Sequence, residues 1–356
     1  MSSCVFVYSV ALLHKTIKAG IIKGNNENRG KKMTKEEEIA KVKEEEKKKK
    51  TQYKLKNWSE YNKALKKRGS VTLWVEEEEL NKWKESQKTG KKGRPPVYSD
   101  ELIKCMGIVR QVYKLAYRQT EGFMESIVEL MGLEIAIPSY SQLCRRLRKL
   151  DVSLGRIAKE GKVHVVIDST GLKVYGEGEW KVRKHKASKR RKWCKVHLAI
   201  DEETNEVLGW EVTGGHEGDA GQLENLLAQV EEEIEQVSAD KGYDTGDCHR
   251  AIKQRNAKAV IPPKKNAVEN PKKEHLVDRN EAVKRIREVG EEEWKIESNY
   301  HRRSLSETAM FRLKQIFGNR VGSVLEEAQK AEVGLRCLIL NRMSKLGMPD
   351  SYPVIS

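Results

Sequence analysis

No two of the six cysteines (Cys4, Cys105, Cys144, Cys194, Cys248 and Cys337) form a C-x-x-C pair, and the gaps between them are long. Cys194 and His197 have ligand-like spacing, but no second pair completes a zinc site. Scattered cysteines in a lysine-rich chain fit a reducing cytosol. No membrane span is readable either. The apolar run "CVFVYSVALL" (4–13) is too short to cross a bilayer, and no basic segment precedes it as in a secretory signal. No internal repeat is visible. A cytoplasmic, nucleoid-associated location is the expectation.

What the chain has in quantity is positive charge. Its 356 residues carry a net charge of +16 and a pI near 9.4, with 34% charged and 38% hydrophobic residues. The length suits two domains plus tails, and the apolar fraction can bury a sizeable core. An excess of cations this large favours a polyanionic partner, nucleic acid above all.

Residues 1–52 read as a disordered charged tail. Within it, 34–50 are almost all Glu and Lys, and Met33 opens a more ordinary beginning than Met1, so residues 1–32 read as a leader or an upstream extension of the start. Residues 53–96 form an N-terminal arm and basic linker. There "NWSEYNKALKKRG" carries a short helical stripe, "VTLWV" (71–75) reads as a strand, and "KTGKKGRPPVYS" stops regular structure with Gly and Pro. Residues 97–155 read as a helical DNA-binding domain. One helix is capped by Ser99 and runs to about Tyr117; a second is ended by Gly132; a third is capped by Ser139 or Ser141. The third carries Arg145, Arg146 and Arg148 opposite Leu143, Leu147 and Leu150, which suits a helix-turn-helix-like reader or an ordinary subdomain with a solvated basic face.

After residue 160 the periodicity changes to strands. "VHVVID" (163–168) is a buried-type strand, and "CKVHLAID" and "EVLGWEVT" alternate as a hairpin around "EETN". A helix (219–234), a strand (235–240), a helix (245–256), a strand (257–263) and a charged helix (278–295) follow. The expected fold class is α/β, a mixed sheet with flanking helices over 160–346, with 347–356 as a tail.

Two strands end in an aspartate, Asp168 and Asp240, where side chains of neighbouring strands converge; each also suits a turn. Glu307 lies further on, in "NYHRRSLSETAMFRLKQIFGNR" (299–320). At about 100° per residue, a continuous helix gathers Tyr300, Arg303, Glu307 and Lys314 into an arc of about 60°. Glu307 can equally close a capping box with Ser304, or pair with a cation.

The segment "YHRRSLSETAMFRLK" matches Y-x2-R-x3-E-x6-K and resembles the signature of bacterial insertion-sequence transposases of the DDE class. "VVIDSTGLKVYGEGEWKVRKH", "ADKGYDT", "GRPPVYSDELIK" and "YRQTEGFMESIVELMGL" resemble segments of the same group. The resemblance runs from about residue 53 to the C-terminus. It implies a ribonuclease-H-like fold with Asp168, Asp240 and Glu307 as catalytic, metal-binding residues. Tyr300, Arg303 and Lys314 match accessory positions expected near the DNA ends. The implied activity is binding of terminal inverted repeats in double-stranded DNA, strand cleavage and strand transfer to target DNA, carried out by a homo-oligomer on DNA. Lys241 and Gly242, where small residues are common, and the lysine-rich N-terminus depart from the pattern.

In-line displacement at phosphorus needs an activated oxygen nucleophile and a stabilised leaving oxygen, which two Mg²⁺ or Mn²⁺ ions supply. Hard cations take oxygen ligands, so three carboxylates suit the task. The stretch "KVRKHKASKRRKWCK" (181–195) holds nine Lys or Arg residues. Lys189, Arg190 and Arg191 there are expected to hold DNA backbone, with Trp180 and Trp193 as stacking surfaces. Asp244 reads as a cap or supporting residue, and His216, Glu217 and Asp219 as loop and helix cap.

Overall fold

The computed structural model describes residues 52–75, 83, 97–155, 161–174 and 193–354. The run 34–50, the linker after residue 83 and the basic stretch 181–192, with Trp180, Lys189, Arg190 and Arg191, lie outside the described residues.

Strand β1 (Gln52–Leu55) pairs with β8 (Ser351–Val354), so the expected C-terminal tail contains a strand. Helices α1 (Trp58–Lys67) and α2 (Val71–Trp74) follow β1. The strand expected at 71–75 is therefore a helical turn. The alternation in "VTLWV" is overridden because Trp74 is fully buried and its indole donates to the Arg68 carbonyl at 2.9 Å.

Three helices come next: α3 (Asp100–Val112), α4 (Tyr117–Leu130) and α5 (Tyr140–Leu147). Ser99 caps α3, accepting from the Leu102 N–H at 3.2 Å. The helix stops short of Tyr117 because Lys114 takes a positive φ of 56°. Gly132, at φ 66°, follows α4. At α5, the Gln142 side chain accepts from the Ser139 N–H at 3.1 Å, so Ser139 rather than Ser141 marks its start. The short turn of this trio lies between α3 and α4; residues 131–139 separate α4 from the basic helix α5.

The remainder is a mixed sheet: β2 (Val163–Val174), β3 (Trp193–Asp201), β4 (Val207–Gly214), β5 (Ile234–Ser238) and β6 (Lys258–Val260), in the order β4-β3-β2-β5-β6. The pairs β2–β3 and β3–β4 are antiparallel; β2–β5 and β5–β6 are parallel. The short strand β7 (Arg320–Val321) extends β2. Helix α6 (Leu223–Ala228) links β4 to β5, and α7 (Gly246–Gln254) links β5 to β6. Beyond β6 come α8 (Val277–Val289), α9 (Glu291–Glu297), α10 (Ser304–Phe317) and α11 (Glu326–Leu346). Three antiparallel strands followed by two parallel ones, with helices on both faces, is the ribonuclease-H-like arrangement.

Two details differ from the sequence pattern. The helix expected over 219–234 shrinks to α6, preceded by a single 3-10 turn. The charged helix expected over 278–295 is two helices, broken at Gly290, whose φ of 91° is one that L side chains rarely adopt.

Alternation along the strands splits the core. Val163, Val165 and Ile167 of β2 pack with Leu223, Leu226 and Ile252 of α6 and α7. Leu172, Val196, Leu198 and Ile200 face Ala309, Met310 and Leu313 of α10 and Val333, Leu338 and Ile339 of α11. The same cluster takes in Leu102, Met106, Leu143 and Leu147. Helices α3 to α5 thus share one apolar core with the sheet, and Leu55–Asp350 forms one compact unit. Buried Arg336 of α11 ties the parts together: it binds Glu332 at 2.5 Å, the Gln111 side chain of α3 at 3.2 Å and the Arg320 carbonyl of β7 at 2.8 Å. Among the described residues, no helix is long and apolar enough to cross a membrane.

Candidate active site

The site forms where β2, β5 and the start of α10 meet. In the parallel pairing of β2 with β5, Val166 stands opposite Ser238. Asp168, inside β2, and Asp240, just past the end of β5, each lie two residues beyond that pair, so the two carboxylates are level at this edge of the sheet. Asp168 is directly opposite Leu198. Its side chain therefore shares the sheet face that packs against α10.

Asp168 is largely enclosed. Its Oδ1 accepts from the Ser169 N–H at 2.8 Å, and its Oδ2 is 3.0 Å from the Ser306 hydroxyl and 3.3 Å from the Arg303 guanidinium. Burial raises its pKa, and the nearby charge of Asp240 pushes the same way. Those three hydrogen-bond donors only partly oppose the shift. The site thus holds a carboxylate that its own surroundings under-compensate.

Asp240 starts the 3-10 turn Lys241–Tyr243, and its Oδ1 accepts from the Gly242 N–H at 2.8 Å. A Cβ on Gly242 would lie 2.9 Å from that oxygen, so glycine lets the carboxylate fold back over its own turn. Lys241, noted above as a departure, points to Glu291 of α9 at 3.4 Å.

Tyr300 and Arg303 sit in a 3-10 turn (Tyr300–Arg303) ahead of α10, not on one continuous helix with Glu307. The helical arc drawn from the sequence therefore holds only for Glu307 and Lys314. The turn starts at Asn299, which adopts the left-handed conformation with φ 56°. The first residue of the helix, Ser304, has no capping box with Glu307. Glu307 instead receives the Arg303 guanidinium at 2.5 Å, with its own side chain 62% exposed. Arg303 thus bridges Asp168 and Glu307, and its guanidinium lies 5.9 Å from the centre of the Tyr300 ring. Tyr300 in turn packs on the buried Trp294 of α9. Lys314, half-buried, lies two turns along α10 from Glu307 and has no ion-pair partner among the described residues. No group of three His, Cys, Asp or Glu side chains among the described residues is close enough to hold a metal ion. Asp168 and Asp240 are brought together, and Glu307 faces Asp168 across the Arg303 guanidinium.

The donor set nevertheless fits a hard divalent cation. It consists of carboxylate oxygens alone, and a cation, the guanidinium of Arg303, already links two of them. Cys194 and His197, by contrast, serve separate roles. Cys194 belongs to the apolar core, and His197 is hydrogen-bonded to Thr213 at 2.8 Å.

A second polar network escaped the sequence reading. His164, on β2, is 2.5 Å from Glu202 through Nδ1 and 2.8 Å from the Ser238 hydroxyl through Nε2. Glu202 also binds Arg302, the neighbour of Arg303. The order Ser238–His164–Glu202 has the connectivity of a hydrolase triad, but Ser238 is fully buried, so no substrate reaches it. Its effect is to tie together β2, which carries Asp168, β5, which leads into Asp240, and the turn before α10, which carries Arg303. Glu202 read as part of a hairpin turn, and only its pairing with a residue far along the chain shows its role.

Asp244 is structural. Burial would raise its pKa, but hydrogen bonds from His249 (3.1 Å), the Lys264 N–H (2.8 Å) and Arg279 (2.8 Å) outweigh that and hold it at about 2. Asp219 pairs with Lys195 at 2.9 Å. In α5, Arg146 is committed to Asp100 at 2.6 Å and to the Tyr98 carbonyl at 3.1 Å, while Arg145 and Arg148 are exposed.

A ribonuclease-H-like sheet with two level aspartates at adjoining strands, and a glutamate on the helix that packs over them, defines a class of enzymes that cut and join nucleic-acid strands. Family models narrow the class. One described as a transposase DDE domain matches residues 159–342, and a second of the same description matches residues 66–177. The chain belongs to the DDE transposases and is a DNA-cutting and strand-transfer enzyme.

Among solved structures, it is similar to the piggyBac transposase synaptic complex with hairpin DNA, at 12% identity over 76% of this chain and 73% of that one, with a TM-score of 0.37. A pre-cleavage Mos1 transpososome matches at 12% identity over 73% of this chain and 82% of that one, with a TM-score of 0.20. The Mos1 mariner paired-end complex with Mn matches at 12% identity over 66% and 83%, with a TM-score of 0.22.

Proposed function

We propose that this transposase binds the terminal inverted repeats of an insertion sequence and cleaves and transfers its strands with Asp168, Asp240 and Glu307 as the catalytic carboxylates. The observation that carries this reading is the register that sets Asp168 level with Asp240, together with the Arg303 bridge that turns Glu307 toward Asp168. Those three side chains would hold the divalent ions, two Mg²⁺ or Mn²⁺. Bound there, such ions activate an oxygen nucleophile and stabilise the leaving oxygen.

The protein's own residues do the rest. Arg303 and Lys314 hold backbone phosphates beside the carboxylates, and Tyr300 supports the Arg303 guanidinium from behind. Exposed Arg145 and Arg148, with Lys189, Arg190 and Arg191 of the basic stretch, extend the phosphate contacts along the duplex; Arg146 holds α5 in place instead. A homo-oligomer that pairs two DNA ends in the cytoplasm, at the nucleoid, completes the reading.

The test supplies purified protein, Mg²⁺, a duplex carrying the element's terminal repeats and a second DNA. Joining of 3′ ends to the second DNA is expected. Cutting without joining would leave a nuclease of the same fold, and binding alone would leave a non-catalytic DNA reader.

A further inference from the structure

Arg303 is engaged with two of the groups that the proposed chemistry needs. Its guanidinium contacts Asp168 Oδ2 at 3.3 Å and Glu307 Oε1 at 2.5 Å. A divalent cation on those two carboxylates would compete with the guanidinium for the same oxygens and would sit beside a fixed positive charge. The fork of an arginine also suits a phosphate, two N–H groups to two oxygens, as well as it suits a carboxylate. Position allows the exchange. Arg303 ends the 3-10 turn rather than lying inside α10, and its side chain is only partly enclosed, at 20% exposure.

We propose that Arg303 couples metal loading to DNA binding: the guanidinium competes with a divalent cation for Asp168 and Glu307, and a DNA phosphate relieves the competition by taking the guanidinium as its partner. Metal and DNA then bind cooperatively, and by linkage each raises the affinity for the other by the same factor. The inference rests on the proposed role of the three carboxylates.

The measurement is a Mn²⁺ titration followed by loss of the free-ion electron paramagnetic resonance signal. It uses the full-length protein with and without a duplex carrying the element's end, with thermal melts to show that each variant is folded. In the wild type, added DNA should tighten Mn²⁺ binding about tenfold, within the usual range of coupling between sites. Arg303→Gln should bind Mn²⁺ about tenfold tighter than wild type in the absence of DNA, and DNA should then change its affinity less than about twofold. Arg303→Lys, which keeps the charge and loses the fork, should fall between the two. An Arg303→Gln protein that binds Mn²⁺ no tighter than wild type, or that keeps the full response to DNA, overturns the coupling. Asp168→Asn separates the two levels of the argument. If it abolishes Mn²⁺ binding while Arg303→Gln changes nothing, the carboxylate site stands and the coupling fails. If Asp168→Asn leaves Mn²⁺ binding intact, the carboxylate site fails with it.

Discussion

Asp168 and Asp244 show how two enclosed aspartates can be set to opposite ends by their partners. Asp244 receives three strong donors and is held at about 2, below the ordinary carboxylate value. A depressed carboxylate contributes stability above its unfolded pKa and loses it as pH falls through its folded one. Asp244→Asn should therefore destabilise the fold at neutral pH by about 2 kcal/mol, with the difference from wild type fading below about pH 4. Asp168 is the reverse case. Its raised pKa means that the folded protein holds this proton more tightly than the unfolded chain does, so the stability linked to it is present at low pH and lost as pH rises through the folded value. Asp168→Asn should raise the melting temperature at neutral pH. Both variants are read in one set of thermal melts across pH, and a lower melting temperature for Asp168→Asn would show that Ser306 and Arg303 over-compensate its burial.

At the scale of the element, the decisive feature is the turn before α10. It is anchored on one side by Arg302 to Glu202 and on the other by Arg303 to Asp168. Glu202→Gln weakens the first anchor while keeping the shape of the side chain. Hydrogen exchange should then speed up across residues 299–304, with β3 and β5 protected as before; equal exchange in wild type and variant would remove Glu202 from any role in holding the turn.

The sequence shows why some of this was legible. The alternation from strands to helices after residue 160 reads directly from the chain, but the strand expected to end at Asp168 runs on to Val174, so Asp168 sits inside β2, while Asp240 lies two residues past the end of β5. The 3-10 turn did not read, because Tyr300 and Arg303 keep helical spacing while Asn299 takes a positive φ that spacing does not encode. The break at Gly290 was hidden in the same way inside a charged helical run.

At the scale of the whole molecule, one apolar core runs from Leu102 and Met106 of α3, through Leu147 of α5 and Val333 of α11, to Leu172 and Leu198 of the sheet. A boundary at 155–160, drawn where the periodicity changes from helix to strand, follows local pattern. Packing between distant segments, such as Arg336 joining α3, β7 and α11, has no local signature. The consequence is mechanical: the basic helix α5 and the carboxylates stand on one continuous body, which fixes α5 relative to the edge that carries Asp168 and Asp240.

The central claim is that Asp168, Asp240 and Glu307 converge on a divalent cation. Crystals grown with Mn²⁺ and the element's DNA end, measured at the manganese absorption edge, test it most directly. The predicted result is an anomalous peak bounded by Asp168 and Asp240, with Glu307 turned in toward it and Arg303 moved onto a phosphate. A peak elsewhere, or Glu307 still held by Arg303 with no manganese beside the aspartates, would contradict it.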